Sequence, residues 1–400
     1  LPTYILCSVL HHVEMCVKEE NNLLSLLTHG FGFHVFGRRV TPCASTWALR
    51  SGISVFTVIK RNRLVGCGSK NKQSSPEGSS LQMMTTSKNS QNLSKLVCCK
   101  DASLDKRLNE YNEHWTVFCC RDGVIHSLDS VFNIALVVKD VDSVTERQLS
   151  VNSAPICTHI DHVTYVCEAG ESNDLIDWYE HCFGMKRFMI NSEETEEAGF
   201  VLGGNIGLRV KALEYWRCAE KGLAAPNASI NDSSLKVVIA EPLPDVSNHQ
   251  DSHFCVSQCN TFLQAHKGPG VQHIALHSQT MTATVKYMND NGVVFRKPPA
   301  VYYQEVKIED TGHGEEIELF RELGILLDLE KDVFAESDIY LMQVFTKPIF
   351  EEDTFFFEII QRCGATGFGA GNITALAKSI VLSQQQVDSN QEVNVVYYCI

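Results

Sequence analysis

Two short runs with a histidine at the same place constrain this chain more than any other feature. They are Ile160-Asp161-His162-Val163-Thr164-Tyr165 and Val271-Gln272-His273-Ile274-Ala275-Leu276. Each reads as a strand of branched and aromatic residues. A helical pattern follows each: Ser172 to Phe183 with Leu175, Trp178, Tyr179 and Phe183, and Met281 to Asn291 with Val285 and Met288. Each helix runs into a glycine and a fresh strand, Gly184-Met185-Lys186-Arg187-Phe188 and Gly292-Val293-Val294-Phe295. Glycine directly after a helix is the expected stop signal. Repetition of this kind predicts stacked supersecondary units.

Two weaker copies precede these. Leu10-His11-His12-Val13-Glu14-Met15, a helix around Asn22 to Leu27, and Gly30-Phe31-Gly32-Phe33 as the next strand make the first. Val131-Phe132-Asn133-Ile134-Ala135-Leu136 shares Ile-Ala-Leu with the run after His273 but carries Asn133 at the histidine's place. Its helix, Val141 to Leu149, is followed almost at once by the next copy, so this unit is cut short. Between the two, Ser69 to Lys95 holds eight serines in 27 positions with much Asn, Gln and Lys. Such a segment buries too little apolar surface to offset its ordering entropy, which predicts disorder. The expected organisation is therefore a degenerate N-terminal module (1–65), a polar insertion (66–127), a truncated second module with a linker (128–157), a C-terminal pair of modules (158–382) and a polar tail (383–400).

Four hundred residues exceed what one hydrophobic core usually organises, in line with several modules. With 34 Lys and Arg against 48 Asp and Glu, the formal charge is −14, and a surface this acidic repels nucleic acid and anionic lipid. The longest apolar stretches, such as Val131 to Val138, are too short to span a bilayer as a helix. The 16 cysteines include no C-x-x-C, and free thiols in a reducing compartment are expected.

A histidine in an apolar strand is ordinarily a hydrogen-bonded core residue. Recurrence argues for more: two equivalent strands each offer one imidazole. A third ligand is available in Thr354-Phe355-Phe356-Phe357-Glu358-Ile359-Ile360, where a carboxylate among apolar neighbours is costly unless paired, protonated or metal-bound. An ion pair of Glu358 with Arg362 or another cation is the structural alternative. Two imidazoles and one carboxylate are the donor set of non-haem Fe(II) oxygenases, leaving positions for a chelating substrate and dioxygen. His253, Cys255, Cys259 and His266 superficially resemble a zinc site. Phe254, Val256, Cys259, Phe262 and Leu263 instead fall at near-helical spacing, predicting an amphipathic helix before the Gly268-Pro269-Gly270 turn. Gly367-Phe368-Gly369-Ala370-Gly371-Asn372 lacks the Lys-Ser/Thr of a phosphate loop and reads as a lead into a helix over 373–382.

Several of these stretches carry a family signature. Gly268 to Leu276, Gln343-Val344-Phe345-Thr346-Lys347-Pro348, Phe356 to Arg362 and Gly367 to Asn372 together resemble the 4-hydroxyphenylpyruvate dioxygenase family. The likeness is strong from about Thr158 to Leu382. It implies the α+β vicinal oxygen chelate fold, with repeated β-α-β-β-β modules forming cupped mixed sheets and a degenerate N-terminal half. It carries iron ligation onto His162, His273 and Glu358, substrate placement onto Gln258, Gln272 and Gln343, and aromatic walls onto Phe345 and Phe368. The chain departs from the family pattern at Ala240, where the family has Asn, at Val210, where it has Ser, and at Ile373, where it has Phe.

What the resemblance implies is an Fe(II) dioxygenase that oxidatively decarboxylates 4-hydroxyphenylpyruvate. The product implied is 4-hydroxymandelate, a ring precursor for ubiquinone, in a mitochondrial setting, although no targeting segment is visible in this chain. Homogentisate formation, as in tyrosine catabolism, is the alternative outcome. A glyoxalase-like lyase or isomerase would want a fourth ligand, and a catalytically inactive descendant would lose the triad; neither fits these residues as well. The expected partners are an aryl 2-oxo acid and dioxygen, with a homo-oligomer possible.

Overall fold

The computed structural model describes residues 7–40, 44–61, 116–117, 130–138, 156–190, 194–202, 207–215, 236–243, 258–305, 316–330, 339–352, 354–365, 367–369, 371–373 and 375. The first module runs β1 (Cys7–Val17), a helical turn Asn21–Ser25 that widens into a π-turn Leu26–Gly30, β2 (His34–Val40), β3 (Ala44–Ser51) and β4 (Ser54–Arg61). β6 (Ser130–Val138) is what is described of the second, and β5 (Thr116–Val117), within the stretch expected as an insertion, pairs with it. The third comprises β7 (His159–Val166), the helix Ser172–Phe183, β8 (Met185–Phe188), β9 (Phe200–Leu202), β10 (Leu208–Tyr215) and β11 (Lys236–Pro242). After the helix Gln258–His266, the fourth has β12 (Gly270–His277), the helix Met281–Asp290, β13 (Leu326–Glu330), β14 (Ile339–Phe345) and β15 (Phe356–Cys363).

The first, third and fourth modules close in the same way, with the first strand parallel to the last: β1 with β4, β7 with β11, β12 with β15. The crossover helix makes this parallel pairing possible. Modules then join edge to edge through antiparallel first strands, β1 to β6 and β7 to β12. The result is a six-stranded sheet ordered β2-β3-β4-β1-β6-β5 and a nine-stranded sheet ordered β13-β14-β15-β12-β7-β11-β10-β8, with β9 on β10. Mixed, curled sheets with few helices make this the α+β vicinal oxygen chelate fold.

One face of the larger sheet packs on the smaller one. Val13, Met15 and Phe56 of the first module share a core with Ile274, Leu276, Phe357 and Ile359 of the fourth. Phe357 sits at its middle, its ring 4.8 Å from Phe31, 5.7 Å from Phe56 and 5.0 Å from Phe355. Alternation along β15 then decides the site: if Phe357 faces this core, its neighbour Glu358 faces the other way, into the cup.

Two expected strands are different in the structure. Gly30 to Phe33 is not a strand, because Phe31 N–H and Phe33 N–H bond back to Leu26 and Leu27 and Gly32 turns the chain at φ +68°. Both phenylalanines are buried, so their two-residue spacing mimics a strand face. Gly292 to Phe295 forms only an isolated bridge, Phe295 to Thr346, flanked by Arg296 N–H to Phe345 O and Lys347 N–H to Val294 O. Pro298 and Pro299 follow at once and cannot donate to a ladder. The helix Ser172–Phe183 ends at Gly184 in the left-handed conformation, as its glycine signalled. The expected helix over 141–149 and the tail 383–400 lie outside the described residues. So do most of the insertion 66–127, His253 to Ser257, and all but Ile373 and Ala375 of the helix expected over 373–382. Among the described residues no helix is long and apolar enough to cross a membrane.

Candidate metal centre

Two β-bulges shape the middle of the larger sheet. Along the β7–β12 ladder Val271 faces Tyr165 and His273 faces Thr164, which leaves Gln272 as an extra residue on β12. Further along, Ala275 faces His162 and Leu276 faces Ile160, leaving Asp161 extra on β7. Bulges re-aim side chains next to functional sites. Here each one lets the extra residue reach the ring of the histidine that follows it. Asp161 Oδ1 lies 2.8 Å from His162 Nδ1, and Gln272 Oε1 lies 3.2 Å from His273 Nδ1.

These contacts set the tautomers. An ionised carboxylate only accepts, so His162 donates from Nδ1, and the Gln272 carbonyl asks the same of His273. Each ring then offers the Nε2 lone pair outward. Both point at one oxygen: Glu358 Oε2 is 3.2 Å from His162 Nε2 and 3.5 Å from His273 Nε2. One ligand atom from each of the three residues lies within 4.8 Å of the others. Donors at right angles on a single ion, each about 2.1 Å away, are about 3 Å apart, so the spacing suits a small divalent cation.

Electrostatics favour positive charge at this point. His162 is pushed up from its ordinary value: burial opposes the charged ring, but Glu358 and Asp161 together outweigh it. His273 is held well below, by burial first and then by the charges of His162 and Arg296. Asp161 is buried too, yet Arg362 and His162 hold its carboxyl well below the usual range. Arg362 donates to both Asp161 oxygens, at 2.7 and 2.8 Å, and also to Gly367 O at 2.5 Å. The alternative partnership of Arg362 with Glu358 is therefore not the one made. Glu358 is 1% exposed and takes a hydrogen bond from Gln343 Nε2 at 2.9 Å.

All eight residues singled out in the sequence line one cavity: His162, His273 and Glu358 at one end, with Gln258, Gln272, Gln343, Phe345 and Phe368 around it. The cavity encloses about 670 Å³ of empty space, part of it open to solvent. Phe368 stands edge-on to His162 with ring centres 5.0 Å apart, and Phe356 stacks on His273 at 4.8 Å. Leu208, Val210, Val238, Ala240 and Ile373 form an aliphatic wall, so the three positions that depart from the family pattern all face the cavity. Two of the three glutamines also hold groups of the protein. Gln272 supports His273. Gln343 supports Glu358 and accepts from Asn372 Nδ2 at 2.8 Å, which in turn accepts from the Tyr302 hydroxyl at 2.7 Å.

Sequence reasoning gave Asp161, Asn372 and Tyr302 no role, and gave Arg362 only that of a partner for Glu358. Asp161 sits directly before His162 in the motif, but only the cross-strand register turns it onto that ring. Arg362 and Asn372 lie in motif stretches whose supporting role only the fold reveals, and Tyr302 arrives from a distant segment.

No family model matches the chain. Among curated proteins it is 39% identical to the human 4-hydroxyphenylpyruvate dioxygenase-like protein over 255 residues, 60% of each chain. It is 31% identical to 4-hydroxyphenylpyruvate dioxygenase of Pseudomonas aeruginosa over 258 residues, 64% of this chain and 61% of that one. The alignments thus span about three fifths of these relatives. A mutant of 4-hydroxymandelate synthase from Streptomyces coelicolor shares the fold with a TM-score of 0.57 at 20% identity, covering 95% of this chain and 99% of that one. Over these three fifths the chain is thus similar to members of the 4-hydroxyphenylpyruvate dioxygenase family, and it shares its fold with 4-hydroxymandelate synthase.

Proposed function

We propose that the protein is an Fe(II)-dependent dioxygenase that oxidatively decarboxylates an aryl 2-oxo acid, 4-hydroxyphenylpyruvate, with 4-hydroxymandelate as the product. One observation carries the reading. Two imidazole Nε2 atoms and a carboxylate oxygen converge on one point, while the nearby guanidinium of Arg362 is turned away onto Asp161. The donor set fits Fe(II): two neutral nitrogen ligands and one anionic oxygen, buried, with no lysine or arginine lining the cavity among the described residues. Iron held there would supply chelation for the substrate's carboxylate and keto oxygens and activation of dioxygen.

The chain's own residues do the rest. Asp161 and Gln272 fix the two rings, and Gln343 fixes Glu358, so the ligands are preorganised before any ion arrives. Phe345, Phe368 and the aliphatic wall exclude water and hold the aryl group. Positioning decides which carbon is oxidised. Oxidation of the benzylic carbon gives 4-hydroxymandelate, and attack on the ring gives homogentisate. Apolar Val210, Ala240 and Ile373 offer no hydrogen bond to a ring hydroxyl, which favours the benzylic outcome.

The test is anaerobic loading with Fe(II), followed by 4-hydroxyphenylpyruvate and oxygen. Oxygen uptake matched by carbon dioxide release is expected, and their absence would remove the activity. The two products are isomers, so proton NMR against standards, not mass, separates them.

A further inference from the structure

Most polar groups that line the cavity have partners inside the protein. Gln343 is held by Glu358, Asn372 and the Phe368 carbonyl, Asn372 also by Tyr302, and the Gln272 carbonyl by His273. Thr164 is different. It lines the cavity and is 3% exposed, yet its hydroxyl has no hydrogen-bond partner among the described residues. A buried hydroxyl without a partner costs roughly 1–3 kcal/mol, so its retention calls for a reason.

Its place in the sheet supplies one. Thr164 follows His162 by two residues on β7 and therefore shares its face. It also sits directly across from His273 on β12, and beside Val238 of β11. The hydroxyl thus stands at the junction of the ligand end and the aliphatic wall. A 2-oxo acid with its aryl group against that wall brings its charged end to this junction. No lysine or arginine among the described lining residues is available to meet that charge.

We infer that Thr164 is a substrate-binding residue whose hydroxyl donates to the carboxylate of the 2-oxo acid. This rests on the functional reading above and adds a specific contact to it. The hydroxyl is unsatisfied in the free protein because the ligand, not the protein, completes it. That is the pattern of a site that gives up stability for binding.

The experiment is calorimetric titration of 4-hydroxyphenylpyruvate into the Fe(II)-loaded protein under anaerobic conditions, where nothing turns over. Thr164→Val keeps the shape and removes the donor, and Thr164→Ser keeps the donor. Thr164→Val is expected to weaken binding about ten- to a hundredfold, the loss of one hydrogen bond to a charged group. Thr164→Ser should stay within a few-fold of wild type. Iron affinity, measured by dialysis, should be unchanged in both variants, and the metal-free Thr164→Val protein should melt no lower than wild type. Wild-type binding that Thr164→Val leaves intact overturns the inference. So does a fall in iron affinity or melting temperature that accounts for the loss, because the role would then be structural. If the wild-type protein binds no 2-oxo acid, the functional reading itself fails.

Discussion

Arg362 grips Asp161 through two hydrogen bonds, Nε to Oδ2 at 2.7 Å and Nη2 to Oδ1 at 2.8 Å, across 201 residues of chain. Both side chains are buried, and the same Asp161 oxygen meets His162 Nδ1. The pair ties β15 to β7 and steadies one imidazole of the candidate metal centre. Removing one partner of a buried pair leaves an uncompensated charge. Arg362→Met should therefore lower stability by about 3–5 kcal/mol. Urea unfolding checks this, and an unchanged midpoint would contradict it.

Protons compete with metal at His162. In the metal-free protein two carboxylates raise this imidazole above its ordinary value of about 6.5, while His273 stays neutral. A metal must displace the His162 proton, so affinity should fall as pH is lowered from above the ordinary histidine range and through it. The competition begins at higher pH than for an unperturbed imidazole because the shift is upward. Iron binding by dialysis across pH 6 to 8.5 reads this directly, and a flat profile would contradict it.

Gln343 and Gln258 line the same cavity and should fail differently. Gln343 holds Glu358, so Gln343→Leu should weaken metal binding about ten- to a hundredfold. Gln258→Leu should leave metal binding as it is and raise the KM for the 2-oxo acid. Parallel metal titrations and steady-state kinetics separate the two, and equal effects on metal would contradict the assignment. Gly369 belongs to the same device. It adopts φ +75°, and a Cβ there would overlap the Gln343 amide, so Gly369→Ala should reproduce part of the Gln343→Leu loss.

Phe357 couples the halves of the chain. Its ring is fully buried between Phe31 and Phe56 of the first module and Phe355. Phe357→Ala should cost about 3–5 kcal/mol, the usual range for truncating a buried aromatic. Chemical denaturation measures it, and a loss below about 1 kcal/mol would mean the sheets do not depend on this contact.

The fold was legible in the sequence wherever local pattern and global architecture agree. The His162 and His273 strands, the helix Ser172–Phe183 and its glycine stop all carry their period and punctuation in adjacent residues. Phe31 and Phe33 show where such reading fails, since two buried rings spaced like a strand face sit on a turn bonded back to a π-turn. The grouping of the three candidate ligands was legible because a carboxylate amid Phe and Ile, and a histidine repeated in equivalent strands, are each hard to explain singly. Bulges leave no such mark. Nothing in Asp161-His162 or Gln272-His273 announces that the first residue is extruded to support the second, because that is decided by the cross-strand register. Gln343 was legible as a site residue but not as a support for Glu358, for it pairs with a residue on the neighbouring strand.

The central claim is that His162, His273 and Glu358 hold one iron ion together, and metal stoichiometry tests it most directly. Anaerobic equilibrium dialysis should give one Fe(II) per chain for the wild-type protein and near-background iron for His162→Ala, His273→Ala and Glu358→Ala, each still folded by circular dichroism. Full iron content in any folded one of the three would contradict the shared site.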